Sequence, residues 1–170
     1  IHLVPRILTA LTKAIVVNGG FEAVGIFRLS VAAGDEEYYG KLLSEGKYNK
    51  INEIKDPCVA AVLIKKWLRN MDPHHLITKD LYDDAITAGQ NEDADQCIAV
   101  VRRLKPINYA TMEFLMKFLQ EMSKHEEVTM MGPKNFAVVI TPNILRNPDS
   151  DAPAAMLRNN GFEMAFVRLL

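Results

Sequence analysis

Cysteine is scarce in this chain, with Cys58 and Cys97 the two among 170 residues. That number excludes a disulfide framework, and no CxxC spacing is present for a structural zinc site. Both thiols are expected to be small buried hydrophobes, and their scarcity points to a reducing, cytoplasmic setting. Long apolar runs are lacking too. The longest, Cys58 to Ile64, falls far short of the ~20 residues that cross a bilayer, so no direct membrane insertion is expected. Charge of one sign is also missing: 20 Lys and Arg against 21 Asp and Glu leave a net charge of −1. No nucleic acid is therefore expected as a partner, because the broad positive field that binds phosphate backbones is absent. Any functional positive charge must be local.

The motifs of independent catalysis are missing as well. A P-loop needs GxxxxGK[ST], so that backbone amides and a lysine surround the phosphates. Gly20 and Gly25 have the glycine spacing, but Ile26 and Phe27 follow where Lys and Ser or Thr are required. Gly34 and Gly40-Lys41 have one residue too many between the glycines, and Leu42 follows. No HExxH, GxSxG or Cys/His grouping occurs. Neighbouring His74 and His75 would point in different directions on a helix or strand and suit a surface loop better than a metal. The expectation is a protein with no cofactor, no metal and no catalytic site of its own.

What is present is a chain of 49% apolar and 24% charged residues, enough to bury a core without metal or disulfide. It reads as one domain over residues 1–170, cut from a longer protein, since it opens on Ile1 and closes on Leu169-Leu170. Glycine and proline punctuate segments of helical length, and period-2 alternation dominates nowhere. The fold class is therefore all-α, a single multi-helix bundle. Leu3, Ile7, Leu11, Ala14 and Ile15 share one helical face that ends at Gly19-Gly20, and Asp35 to Glu45 forms a short polar helix. Asp56-Pro57 caps a helix running to about Met71. Thr78 caps one ending near Gly89, and a helix from Asp93 to Leu104 stops ahead of Pro106. Asn108 caps the most amphipathic helix, whose stripe is Met112, Leu115, Met116, Leu119 and Met122. The β-branched run in Asn135 to Thr141 allows a short strand, but a helix from Pro133 ending at Pro142 is preferred.

One local feature stands out against this frame. In Gly25-Ile26-Phe27-Arg28-Leu29-Ser30 an arginine follows two large apolar residues just after a glycine-rich break, as though Ile26 and Phe27 anchor Arg28 near the surface. On the next capped helix Lys65 and Arg69 lie four apart and project within ~40° of each other. Like charges so spaced repel, which favours a negative group opposite them. A packed, internally hydrogen-bonded Arg69 is the competing expectation.

Three segments in order, GIFRLS at 25–30, AVLIKKWLR at 61–69 and KNFAVVITPNIL at 134–145, resemble the Rho GTPase-activating (RhoGAP) domain, and the resemblance covers nearly the whole chain. It implies an all-helical domain, a monomeric one, that binds a Rho-family small GTPase in its GTP state and speeds hydrolysis. By the same resemblance Arg28 is the catalytic arginine finger, Lys65 and Arg69 are the basic GTPase-binding pair, and Asn143 contacts the GTPase. GTP and Mg²⁺ would belong to the partner. A finger must be exposed, with its guanidinium unclaimed by the chain's own carboxylates.

The chain departs from the family pattern in places. Val24 stands where glutamate is common before GIFR, and Met71 to Leu76 replaces a shorter proline-rich stretch. Thr129-Met130-Met131 replaces asparagine-lysine-methionine, and Thr141 replaces a glycine before Pro142-Asn143. These changes bear on partner choice and affinity. The alternative they leave open is a RhoGAP-like interaction module that binds a small GTPase or another signalling protein without stimulating it.

Overall fold

The computed structural model describes residues 3–71, 75–148 and 153–170, with side chains omitted at 153–158, and among them it contains helices and no strand. The first helix, α1 (Arg6–Val17), buries Leu8, Leu11 and Ile15, and Gly19 follows in the left-handed region at φ 79°, where a side chain would be strained. A short 3₁₀ turn over Gly20–Glu22 leads to the arginine segment. Helix α2 (Ala33–Ser44) is polar, with Leu43 its buried residue. Helix α3 (Pro57–Arg69) starts as its sequence predicts: the Asp56 side chain accepts a hydrogen bond from the Cys58 amide at 2.8 Å, and Pro57 occupies the first turn.

Helix α4 (Tyr82–Gln90) is entered through a 3₁₀ turn over Lys79–Leu81, and Thr78 makes no side-chain cap there. Helix α5 (Ala94–Arg102) is capped by Asp93, whose carboxylate accepts from the Gln96 amide. The next helix, α6 (Pro106–Ser123), buries Met112, Leu115, Met116, Leu119 and Met122, the stripe read from the sequence. Its start differs from the expectation. Pro106 stops α5 and also opens α6, since a missing N–H costs nothing at the first helical position. Asn108 therefore lies inside the helix and is not its cap; its Nδ2 donates to the Leu76 carbonyl at 3.1 Å.

A single turn, α7 (Glu126–Thr129), precedes α8 (Pro133–Ile144). The β-branched run is helical, but α8 passes through Pro142 rather than ending there. Proline removes one backbone bond. On either side of the gap, Thr141 Oγ1 donates to the Ala137 carbonyl at 2.6 Å and Asn143 Nδ2 to the Val139 carbonyl at 2.8 Å. Ile140 and Ile144 are fully buried, so packing of the last turn outweighs the lost bond. The closing helix is α9 (Pro153–Arg168).

Helices α8, α9, α4, α5 and α6 form a closed ring of neighbours, α6 returning to α8, and α3, with α1 and α2 packed on it, joins the ring at α8. Close approach of α4 to α9 depends on Gly89, where a Cβ would lie 2.1 Å from the Phe162 carbonyl oxygen. Cys97 is fully buried, as expected, and burial pushes its thiol up to about 11; Cys58, at the first turn of α3, is only partly buried, and its thiol is raised by that burial with Asp56 adding to it. Among the described residues no helix is long and apolar enough to cross a membrane. Asp72 to His74, which make up half of the altered Met71 to Leu76 stretch and include one member of the histidine pair, lie outside the described residues.

Candidate functional site

The arginine segment is held from beneath by its apolar pair. Ile26 and Phe27 are buried to within 1% of complete, and the Phe27 ring meets Phe136 of α8 edge-on at 5.8 Å. Phe27 adopts φ 68°, a left-handed conformation that costs a bulky residue roughly 1–3 kcal/mol. Burying the ring offsets that cost. Gly25, at φ 71°, makes the bend, and its carbonyl accepts from the Arg28 and Leu29 amides, both at 2.9 Å. Its own N–H donates to the Thr129 carbonyl of α7 at 2.7 Å. Phe21 stacks on His125 with ring centroids 4.4 Å apart, a second tie between this region and α7.

The peptide unit joining Phe27 to Arg28 is clamped at both ends. Its N–H reaches the Gly25 carbonyl, and its C=O accepts from Lys65 Nζ of α3 at 2.5 Å. Lys65 is half-buried, and burial with the nearby Arg69 charge lowers its pKa, partly opposed by Glu36. The backbone of Arg28 is thus fixed while its side chain is exposed. Among the described residues the Arg28 guanidinium makes no hydrogen bond or ion pair.

Arg28 borders a cleft of about 380 Å³ that Lys65, Lys66 and Arg69 also line, with Glu36 the acidic residue facing it. Glu36 is taken by Lys66 at 3.0 Å. An almost neutral chain therefore concentrates unbalanced positive charge at this place. Arg69 Nε donates to Asn143 Oδ1 at 3.1 Å, so α3 and α8 meet through the two residues the sequence singled out. Asn143 is 3% exposed and its amide is used at both ends, once by Arg69 and once by the Val139 carbonyl. Arg69 itself remains exposed.

The structure thus gathers Arg28, Lys65, Arg69 and Asn143 into one linked set, with Arg28 and Arg69 at the surface. Sequence reasoning missed the Phe27 carbonyl and the Thr129 carbonyl as parts of it. No local pattern signals either, since each is a backbone atom whose partner lies far along the chain. Among the described residues no group of three His, Cys, Asp or Glu could hold a metal.

Fold and site together define an all-α domain that displays an exposed, backbone-clamped arginine at the rim of a basic cleft. A sequence model of the RhoGAP domain matches residues 5–149. The chain belongs to the RhoGAP domain family. It is 30% identical over 142 residues to human Bargin, covering 81% of this chain and 21% of that protein. To GTPase activating protein homolog 2 of Dictyostelium discoideum it is 33% identical over 169 residues, 98% of this chain and 18% of the other. The chain therefore spans about a fifth of the length of these curated relatives. The crystal structure of human Rho GTPase activating protein 15 superposes with a TM-score of 0.84 at 18% identity, covering 98% of this chain and 80% of that one, a likeness of fold.

Proposed function

We propose that this domain stimulates GTP hydrolysis by a Rho-family small GTPase, supplying Arg28 in trans and performing no chemistry alone. The observation that carries it is the pairing of a free, exposed guanidinium with a rigidly clamped backbone at a basic cleft. Relatives named as GTPase activators add support. As the γ-phosphoryl group transfers to water, charge shifts onto its oxygens and the leaving bridge, and the planar guanidinium neutralises it with several donors. Lysine offers a single hydrated point charge and suits this poorly. GTP and Mg²⁺ are the partner's, and the domain acts as a monomeric cytoplasmic unit.

The resemblance makes Lys65, Arg69 and Asn143 all GTPase contacts. Arg69 keeps that role in this proposal, but Lys65 Nζ is engaged by the Phe27 carbonyl and Asn143 is 3% exposed beneath Arg69, so Lys65 and Asn143 take a positioning role instead. Lys65→Met removes a charge-assisted hydrogen bond of about 1.5–3 kcal/mol. The expected result is a maximal stimulated rate ~10-fold lower with the half-saturating domain concentration within a few-fold of wild type. An unchanged maximal rate would remove Lys65 from this role.

Single-turnover hydrolysis across a panel of Rho-family GTPases, with and without the domain, tests the activity itself. Faster phosphate release from at least one member is expected. Binding without acceleration throughout the panel would establish the non-stimulating module instead.

A further inference from the structure

Three large apolar side chains on the arginine segment and on the turn bonded to it are uncovered: Val24 at 55% exposure, Leu29 at 48% and Met130 at 56%. They are brought together by the fold. Val24 immediately precedes Gly25 and Met130 immediately follows Thr129, so the Gly25–Thr129 hydrogen bond joins the peptide groups next to both. Leu29 closes over Gly25, where an added Cβ would stand 2.9 Å from Leu29 Cγ. Met130 is the most informative of the three. It sits at φ 58°, in the left-handed region that a long side chain rarely adopts, and exposes an apolar chain there. Asparagine would satisfy that backbone and that solvent exposure better. The backbone there is held as the cap of α7, its N–H donating to the Glu126 carbonyl at 2.8 Å and its carbonyl accepting from Asn135 Nδ2 at 2.9 Å, so the fold fixes this conformation while the apolar side chain stays in solvent.

We infer that Val24, Leu29 and Met130 form an apolar shelf that recognises an apolar side chain on the GTP-bound partner, beside the mouth of its nucleotide pocket. The proposal rests on Arg28 entering that pocket. A side chain so placed brings whatever flanks its base against the rim of the partner's pocket, making the shelf continuous with the arginine contact. The ties through Gly25 and through Phe21–His125 hold the shelf in place before binding, which limits the ordering cost. Apolar contact around an arginine is the composition of an energetic centre in an interface. Val24 and Met130 are also two of the positions at which this chain departs from the family pattern, so the shelf selects among partners.

The test uses a small GTPase that the wild-type domain stimulates and the double variant Val24→Thr, Met130→Asn. Threonine keeps the shape of valine, and asparagine suits the left-handed backbone, so the fold is retained, as thermal unfolding would verify. The half-saturating concentration is expected to rise at least ~10-fold while the rate at saturation stays within about twofold. Met130→Leu, which keeps apolar bulk, should stay within about threefold of wild type. An unmoved half-saturating concentration in the double variant, or a loss confined to the maximal rate, overturns the shelf and leaves Arg28 untouched. A wild-type domain that stimulates no small GTPase overturns the Arg28 proposal and the shelf with it.

Discussion

Arg28→Ala is expected to lower the maximal rate of stimulated hydrolysis by ~10³ or more while the domain still binds its GTPase within a few-fold of wild type. The size follows from what an arginine supplied in trans contributes to phosphoryl transfer, ~10³ to 10⁵ in rate, or about 4–7 kcal/mol of barrier. The separation between rate and binding follows from the geometry. Arg28 is exposed, and among the described residues its guanidinium holds nothing else in place, so its removal leaves the fold and the rest of the basic cleft intact. Its favourable interactions arise mainly where charge develops, in the transition state. Arg28→Lys should recover little, because a point charge on a flexible stem cannot present the same fork. Single-turnover measurements over a range of domain concentrations separate the two parameters, and a variant that matches wild type in maximal rate would refute the assignment.

Phe27→Ala is expected to destabilise the domain by about 3–5 kcal/mol, the usual cost of emptying a buried aromatic site. Its ring is 1% exposed and packs edge-on against Phe136, so truncation leaves a cavity between the arginine segment and α8. Alanine gains nothing from the φ of 68° either, since that conformation disfavours any residue with a Cβ. For a chain of this length the melting temperature should fall by about 10 °C. Leu29→Ala, at an exposed neighbouring position, should change stability by no more than about 0.5 kcal/mol. Thermal unfolding of both variants is the check, and equal melting temperatures would show that Phe27 does not anchor the segment.

Much of the architecture was legible in the amino-acid order. The Asp56-Pro57 start, the methionine and leucine stripe of α6 and the glycine stop after α1 are local signals of helix period and capping, and each appears where it was read. Proline was harder to read. Pro106 begins a helix and Pro142 lies inside one, because the tolerance of each depends on which carbonyl loses its partner and on the packing around it. The site was legible as a set of side chains but not as an arrangement. Arg69 and Asn143 are 74 residues apart, and Lys65 meets a backbone carbonyl 38 residues away. Periodicity within a segment carries no information about such meetings; they arise when α3, α8 and the arginine segment pack.

The most direct test of the arginine mechanism compares affinities for one responsive GTPase in two states, loaded with a non-hydrolysable GTP analogue or with GDP and fluoroaluminate, which imitates the transferring phosphoryl group. Wild-type domain is predicted to bind the second state at least ~10²-fold more tightly, and Arg28→Ala to bind both states about equally. A wild-type domain that does not distinguish them, or an Arg28→Ala variant that keeps the full preference, would contradict it.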